Sequence, residues 1–388
     1  MYFSIYNILP VAYAAFAVLS LAMLWLLLCY RRRVVSVSTA AREADAALRA
    51  DGTLPPVSVI VYASYNAGDL EETLPLILAQ EYPGEFEVIV VNDGSSSELS
   101  DVVKRYAHDY PNLYQTFVPE KAHNLSRKKL AISLGIKAAR TDYVVLTEAC
   151  GRPRSRRWLQ LMARHFACGK EVVLGWGRIS GLKSAMKAFD QVATGTTWLA
   201  AALAGNPYRG TALNIGYSRR LFFEAKGFSR TLNLHHGDDD LFVNQIATAE
   251  NTAVELSAAA RISARAENPA AMWREEKLRH AFTARMLPKG ARRFMGFSTT
   301  MMWAWVVSAV VCVVFTIPNL LPGCVVLALC AALWIPLTMA WRRTGKALGV
   351  RLRPVILWWM MLWRWIPDLR ARLRCASAER RNYTWLQK

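Results

Sequence analysis

The sequence has no GxxxxGK(S/T) loop, which excludes the phosphate cradle of P-loop nucleotide enzymes. Its seven cysteines form no CxxC pair and no Cys/His array. That excludes a disulfide framework and a structural zinc site. Acidic residues are scarce: 29 Asp and Glu stand against 48 Lys and Arg, a formal charge of +19. On a soluble chain such a balance points to nucleic acid. No RNA- or DNA-binding motif accompanies it, however, and no nucleic-acid partner is expected. Many of the basic residues flank apolar runs, as at Arg31, Arg32 and Arg33. An anionic membrane surface and a phosphate-bearing substrate account for the charge.

Apolar residues, by contrast, are abundant at 53% and unevenly spread. Residues 5–30 form a nearly uncharged run, longer than the ~20 residues a bilayer needs. Three arginines follow it, the order expected of an uncleaved anchor whose downstream segment is cytoplasmic. Residues 297–318 and 320–341 flank an uncharged PNLLPG connection. Lys289, Arg292 and Arg293 precede the pair; Arg342, Arg343 and Lys346 follow it. This pattern predicts a transmembrane hairpin. Residues 355–366 contain Trp358, Trp359, Trp363, Trp365 and Arg364, and suit an interfacial helix. The expected plan is an anchor (1–33), a linker (34–54), a globular domain (55–295), a transmembrane hairpin (296–342) and a basic, Trp-rich tail (343–388). The expected location is a bacterial-type inner (cytoplasmic) membrane, multi-pass, with the globular domain in the cytoplasm.

Between the outer runs, strands and helices alternate. Residues 57–62 are a continuous β-branched run, as in a strand buried on both faces. "DLEETLPLILAQEYP" has helical spacing, and "FEVIVVNDGSSSE" is a second buried strand with a polar end. "LSDVVKRYAHDYP", "LYQTFVP", "SRKKLAISLGIKAAR" and "DYVVLTEACG" continue as helix, strand, helix and strand. Such alternation gives a parallel sheet with helices on its faces. Ligands in these sheets bind at the carboxyl ends of the strands. Three polar strand ends would then converge: Ala63-Ser64-Tyr65-Asn66, Asn92-Asp93-Gly94-Ser95 and Glu148-Ala149-Cys150. Each alone is also ordinary turn chemistry.

Residues 55–295 resemble the membrane-associated family 2 glycosyltransferases of the GT-A fold. The resemblance rests on "VSVIVYASYNAGDLEETLPLILAQEYP", "EVIVVNDGSSSE", "SRKKLAISLGIKAARTDYVVLTEACGRP", "GTALNIGYSRRLFFEAKGF" and "HHGDDDLFVNQIA", in that order. It implies an α/β GT-A domain, a Rossmann-like parallel or mixed sheet, with transmembrane helices at both ends. It implies an inverting enzyme that moves a sugar from a nucleotide sugar, UDP-linked, to a lipid-linked or growing glycan in cell-surface glycan assembly. Ala63, Tyr65, Asn66 and Asp93 would hold the nucleotide, with Asp93 reading the base. Lys128 or Lys129 would reach the pyrophosphate. Asp238 would be the general base, with Asp239 as the alternative and Asp240 as the second acid of the motif. "WREEKLRHAFTARM" resembles a degraded QxxRW segment, and places Arg279 and Lys277 near the diphosphate or acceptor.

One position departs from the family pattern. Where a DxD motif would hold Mg²⁺ or Mn²⁺, this chain has Glu148-Ala149-Cys150. Glu148 keeps a carboxylate, but a thiol is a poor ligand for a hard cation. Either Glu148 holds the metal in a weakened site, or arginines among Arg152, Arg154, Arg156 and Arg157 neutralise phosphate directly. A catalytically impaired homologue that acts as a scaffold or regulator of a glycan-assembly complex is the other reading.

Overall fold

The structure is a computed structural model that describes residues 5–46, 53–64, 67–94, 97–119, 125–287, 300, 303–314 and 320–377. Tyr65 and Asn66 lie outside the described residues.

At the centre is a seven-stranded mixed sheet of order β3-β2-β1-β4-β8-β6-β9. Its parallel half comprises β1 (Val57–Ala63), β2 (Phe86–Asn92), β3 (Leu113–Phe117) and β4 (Tyr143–Glu148). In the other half, β8 (Ile215–Ser218) runs antiparallel to both β4 and β6 (Val172–Gly175), and β9 (Thr252–Glu255) closes the edge. A small second sheet joins β5 (Gly151–Pro153), β10 (Ile262–Ala264) and β7 (Gly177–Ile179).

The β-branched run in β1 does what its composition requires, with side chains packing alternately to both faces. Val57, Val59 and Val61 join one core with Leu70, Leu74 and Ile77 of α2 (Ala67–Leu78) and Leu99 of α3 (Ser97–Ala107). Ile60 faces the other core, with Ile132 and Ile136 of α4 (Arg127–Ala138) and Phe189 and Val192 of α6 (Ala185–Leu203). α4 lies close on the sheet: a Cβ at Gly135 would come within 2.7 Å of Ile60 Cγ2. That contact sets the height of Arg127 and Lys128 above the strand ends. α5 (Trp158–Ala167) covers the first face beside α2.

The expectation of transmembrane helices at both ends is overturned. Among the described residues no helix is long and apolar enough to cross a membrane. The multi-pass inner-membrane placement is not supported for the same reason. Part of the apolar content serves packing instead. α1 (Ile5–Ala46) continues as one helix past the arginines, and buries Val34, Val37 and Ala41. It packs on α6 and on the helix Leu320–Ala347. Leu337, Ala340 and Trp341 of that helix share a core with Ile60 and Phe189. Thr344 donates to the Val34 carbonyl at 2.6 Å. Hydropathy by itself does not separate a span from a helix buried against its own domain. The run 297–318 lies partly outside the described residues. Residues 355–366 divide between helices Pro354–Trp363 and Trp365–Ser377, and Leu357, Met360 and Met361 enter the core.

Candidate functional site

Strand register aligns the candidate loops. Ala63 pairs with Asn92, and Tyr62 with Glu148, so β1, β2 and β4 end together. The Asp93 N–H donates to the Ala63 carbonyl at 2.8 Å, and the Ala149 N–H to that of Tyr62 at 2.8 Å. These backbone bonds fold both loops over the end of β1. Ala63 is fully buried and contributes its carbonyl rather than its side chain.

The side chains form a continuous network. Tyr62 donates its hydroxyl to Asp93 Oδ2 at 2.7 Å, and Arg127 Nε donates to Asp93 Oδ1 at 2.8 Å. Lys128 stands over the Tyr62 ring, 5.7 Å from its centroid. Its ammonium lies 2.7 Å from Glu148 Oε1 and 2.8 Å from Asp238 Oδ2. Burial would favour a neutral Lys128, but Asp238 and Glu148 outweigh it and raise its pKa. It remains an ammonium at neutral pH.

Lys129, the neighbour on α4, does something different. It is fully buried and donates to the carbonyls of Thr231 (2.5 Å), Leu234 (3.1 Å) and His236 (2.8 Å). Ser126 adds a hydroxyl bond to the His235 carbonyl at 3.2 Å. The start of α4 therefore fastens the loop that leads to the acidic triplet. The expected reach of Lys129 to pyrophosphate is not what this geometry provides. All three ammonium hydrogens have backbone acceptors.

The turn into that triplet requires Gly237, whose φ is +100°, and where a Cβ would meet Leu241 Cδ1 at 2.6 Å. The three acids then separate. Asp238 turns to Lys128. Asp239 caps α8 (Asp240–Ile246) by accepting the Asp240 N–H at 2.9 Å. Asp240 accepts from Thr283 Oγ1 and, at 3.4 Å, from Arg209 Nη2. The proton affinities of Asp238 and Asp239 diverge. Burial raises the Asp238 pKa, but Lys128 and Arg279 hold it well below the usual carboxylate range. Asp239 also feels Arg279 and Lys128, but burial, then Asp238 and Asp240, outweigh them and push it up to about 7.

Arg279 projects from α9 (Pro269–Thr283) into this field and interacts with Asp239, Asp238 and Glu148. Its Nε is buried without a hydrogen-bond partner. Lys277, by contrast, is engaged by Asp190 at 2.8 Å and by Asp368. His236 is shifted down to about 4 by burial and by Arg279, so it is neutral at physiological pH.

The former DxD position fits a divalent cation poorly. Burial and then Glu148 raise the Cys150 pKa, which keeps the thiol protonated. Cys150 Sγ lies 3.9 Å from Glu148 Oε2. The other acid near Glu148, Asp238, meets it through an ammonium rather than an open gap. Among the described residues no three Asp, Glu, His or Cys side chains converge as a metal site. Nor does Arg152 supply the missing charge, because it pairs with Glu72.

Comparison with known proteins places this arrangement. Residues 12–368 match the profile of Glycosyl transferase family 21. The chain belongs to glycosyltransferase family 21. Membership makes it a glycosyltransferase and bears out the resemblance drawn from the motifs, with family 21 in the place of family 2. A dolichyl-phosphate beta-glucosyltransferase (ALG5D) of Trichomonas vaginalis is 35% identical over 85 residues, which are 21% of this chain and 25% of that protein. The chain thus matches about a quarter of that relative's length. Among solved structures, the mannosyltransferase PcManGT from Pyrobaculum calidifontis, in complex with GDP-Man and Mn²⁺, superposes with a TM-score of 0.53 at 20% identity. The match covers 90% of this chain and 99% of that one, and shows a shared GT-A-type fold. S. aureus TarS 1-349 in complex with UDP-GlcNAc is a weaker likeness, with a TM-score of 0.41 at 15% identity, over 84% and 92% of the two chains.

Sequence reasoning brought Asp93, Lys128, Glu148, Asp238, Asp239, Asp240 and Arg279 to one region. It missed Tyr62, which lies inside a strand pattern and gives no local signal. It also missed Arg209 and Thr283, whose role exists only through their contact with Asp240.

Proposed function

We propose that this family 21 enzyme transfers a sugar, with inversion, from a nucleotide sugar to a lipid-linked acceptor. The donor is UDP-linked in this reading. The carrying observation is that Lys128 joins the nucleotide side of the crevice, Glu148, to the acidic loop at Asp238. The catalytic unit is assigned to residues 55–295. Asp93, backed by Tyr62 and Arg127, holds the nucleoside. The diphosphate takes the two cations of the crevice, Lys128 and Arg279. Arg279 has an unused buried Nε–H for it.

The acceptor hydroxyl oxygen attacks the anomeric carbon as the bond to the diphosphate oxygen breaks. Its proton passes to a carboxylate of the triplet. Of the two candidates, Asp239 fits better than Asp238. A base works best with a pKa near the operating pH, and Asp239 sits at about 7. Asp238 is held as an anion by Lys128 and Arg279, and is a weak base. Its part is to position Lys128. The names of the relatives support the substrate classes: one is a dolichyl-phosphate glucosyltransferase, the other was solved with GDP-Man.

The test is a screen of UDP- and GDP-sugars with purified protein against lipid acceptors that carry a free hydroxyl, with polyprenyl phosphate, whose ionised phosphate oxygen needs no base, run alongside. Nucleoside diphosphate release that needs the acceptor and disappears in Asp239→Asn supports the reading. Donor binding without turnover on any lipid acceptor overturns the transfer step, in favour of the scaffold reading.

A further inference from the structure

The small three-stranded sheet brings three arginines to one point outside the crevice. Arg154 follows β5, Arg261 precedes β10, and Arg178 lies in β7 opposite Ser263 of β10. Backbone pairing fixes the arrangement, since the Arg154 N–H donates to the Arg261 carbonyl at 3.0 Å. The point of convergence is the space above Gly349. A Cβ there would meet Arg261 Nη1 at 3.3 Å, Arg154 Nη1 at 3.8 Å and Arg178 Nε at 3.9 Å. Gly349 has φ +77°, ends the turn after the helix Leu320–Ala347, and leaves that space open.

Three guanidinium groups this close repel one another, and a folded chain normally offsets such a cluster with acids. Here none of the three has an ion-pair partner within 4.0 Å among the described residues. Asp45 acts on Arg261 from beyond ion-pair distance, and its Oδ1 accepts the Ala258 N–H at 2.6 Å. Arg178 Nε donates to Ser263 Oγ at 3.2 Å. Arg261 is 5% exposed, and its Nε is buried with no hydrogen-bond partner. A buried, unsatisfied charged donor is costly, and natural structures rarely keep one without a reason. Exposure grades outward from buried Arg261 through half-buried Arg178 to exposed Arg154, so the cluster opens to solvent.

We propose that Arg154, Arg178 and Arg261 form a binding site for a phosphate group, distinct in its residues from the sugar-transfer crevice. Planar guanidinium forks arranged around an open space match the oxygens of a phosphate monoester or diphosphate, and bidentate pairing would use the idle Arg261 donor. The phosphate is either free in solution or the headgroup of an anionic lipid.

The test uses the full chain, with inorganic pyrophosphate in a thermal-shift titration and, separately, co-sedimentation with phosphatidylglycerol or phosphatidylcholine vesicles. Pyrophosphate is expected to raise the melting temperature saturably. Pyrophosphate also meets Lys128 and Arg279 in the crevice, so the titration is repeated in Arg279→Gln, where a saturable shift should persist; adding Arg178→Gln or Arg154→Gln to that background is expected to weaken it at least tenfold. Selective retention on phosphatidylglycerol, lost in the same variants, assigns the lipid source; a response to pyrophosphate alone assigns free phosphate. In phosphate-free, low-salt buffer Arg178→Gln should melt no lower than the wild type, because it relieves repulsion. A purely structural arginine would give a lower melting point. The proposal fails if neither probe binds. It also fails if binding is unchanged in Arg154→Gln and Arg178→Gln. Arg261→Gln serves as a third variant only if it folds.

Discussion

Lys128 and Asp238 form a buried ion pair, Nζ to Oδ2 at 2.8 Å, which joins the first turn of α4 to the loop before α8. The same ammonium holds Glu148. Removing it leaves two carboxylates that have lost their shared ammonium, with Arg279 as the remaining cation near both. Breaking a buried pair from one side costs about 3–5 kcal/mol. Lys128→Met is therefore expected to lower stability by about that amount in chemical denaturation, and to lose turnover as well. Lys128→Arg keeps the charge and should recover most of the stability. Full stability in Lys128→Met would show that the pair does not hold the loop.

Asp239 should set the pH dependence of transfer. Its carboxyl is pushed up to about 7 by burial and by Asp238 and Asp240. The reactive form of a general base is the carboxylate, so the rate falls as pH drops through about 7 and levels off above it. Asp239→Asn is expected to cost about 10²–10⁴-fold in kcat, the usual share of a general base. A kcat/KM profile that is flat between pH 6 and pH 8 (assay limits of about one unit either side of the shifted value) would remove Asp239 from that role.

Cys150 offers a direct reading of metal use. Cys150→Asp places a second carboxylate beside Glu148 and restores a hard-ligand pair. Its rate should become severalfold more dependent on Mn²⁺ than that of the wild type. Cys150→Ser should show no such change. The wild type is expected to keep most of its activity in a chelator, because the proposed function gives the diphosphate charge to Lys128 and Arg279. Complete loss of wild-type activity on chelation, restored by Mn²⁺, would contradict the charge assignment.

The sheet was legible in the sequence because β1, β2 and β4 are buried on both faces and so read as unbroken apolar runs. The convergence of their polar ends followed from the direction of a parallel sheet. What the sequence did not contain was orientation about the axis of α4. Lys128 and Lys129 are adjacent, yet they point about 100° apart on a helix, one to the crevice and one to the loop carbonyls. Composition cannot choose between them. The terminal apolar runs misled for a related reason. Phe16, Leu337, Ala340 and Trp341, all within those runs, are buried in the core that α1 and the helix Leu320–Ala347 share, a partner that hydropathy does not see.

Lys129 supplies the last test, because its role is separable from chemistry. Its ammonium satisfies three backbone carbonyls of the segment that ends at Gly237. Each buried acceptor left unpaired costs about 1–3 kcal/mol. Lys129→Met is thus expected to destabilise the fold by about 3 kcal/mol or more, and Lys129→Arg by less. Burial pushes the Lys129 ammonium down to about 8. The unfolded chain keeps that proton to its ordinary 10.5, so this residue makes stability rise with pH between about 8 and 10.5. Denaturation midpoints across that window, compared between the wild type and Lys129→Met, isolate the contribution. If Lys129→Met is as stable as the wild type but loses donor affinity, then the lysine serves the diphosphate, and the carbonyl contacts are incidental.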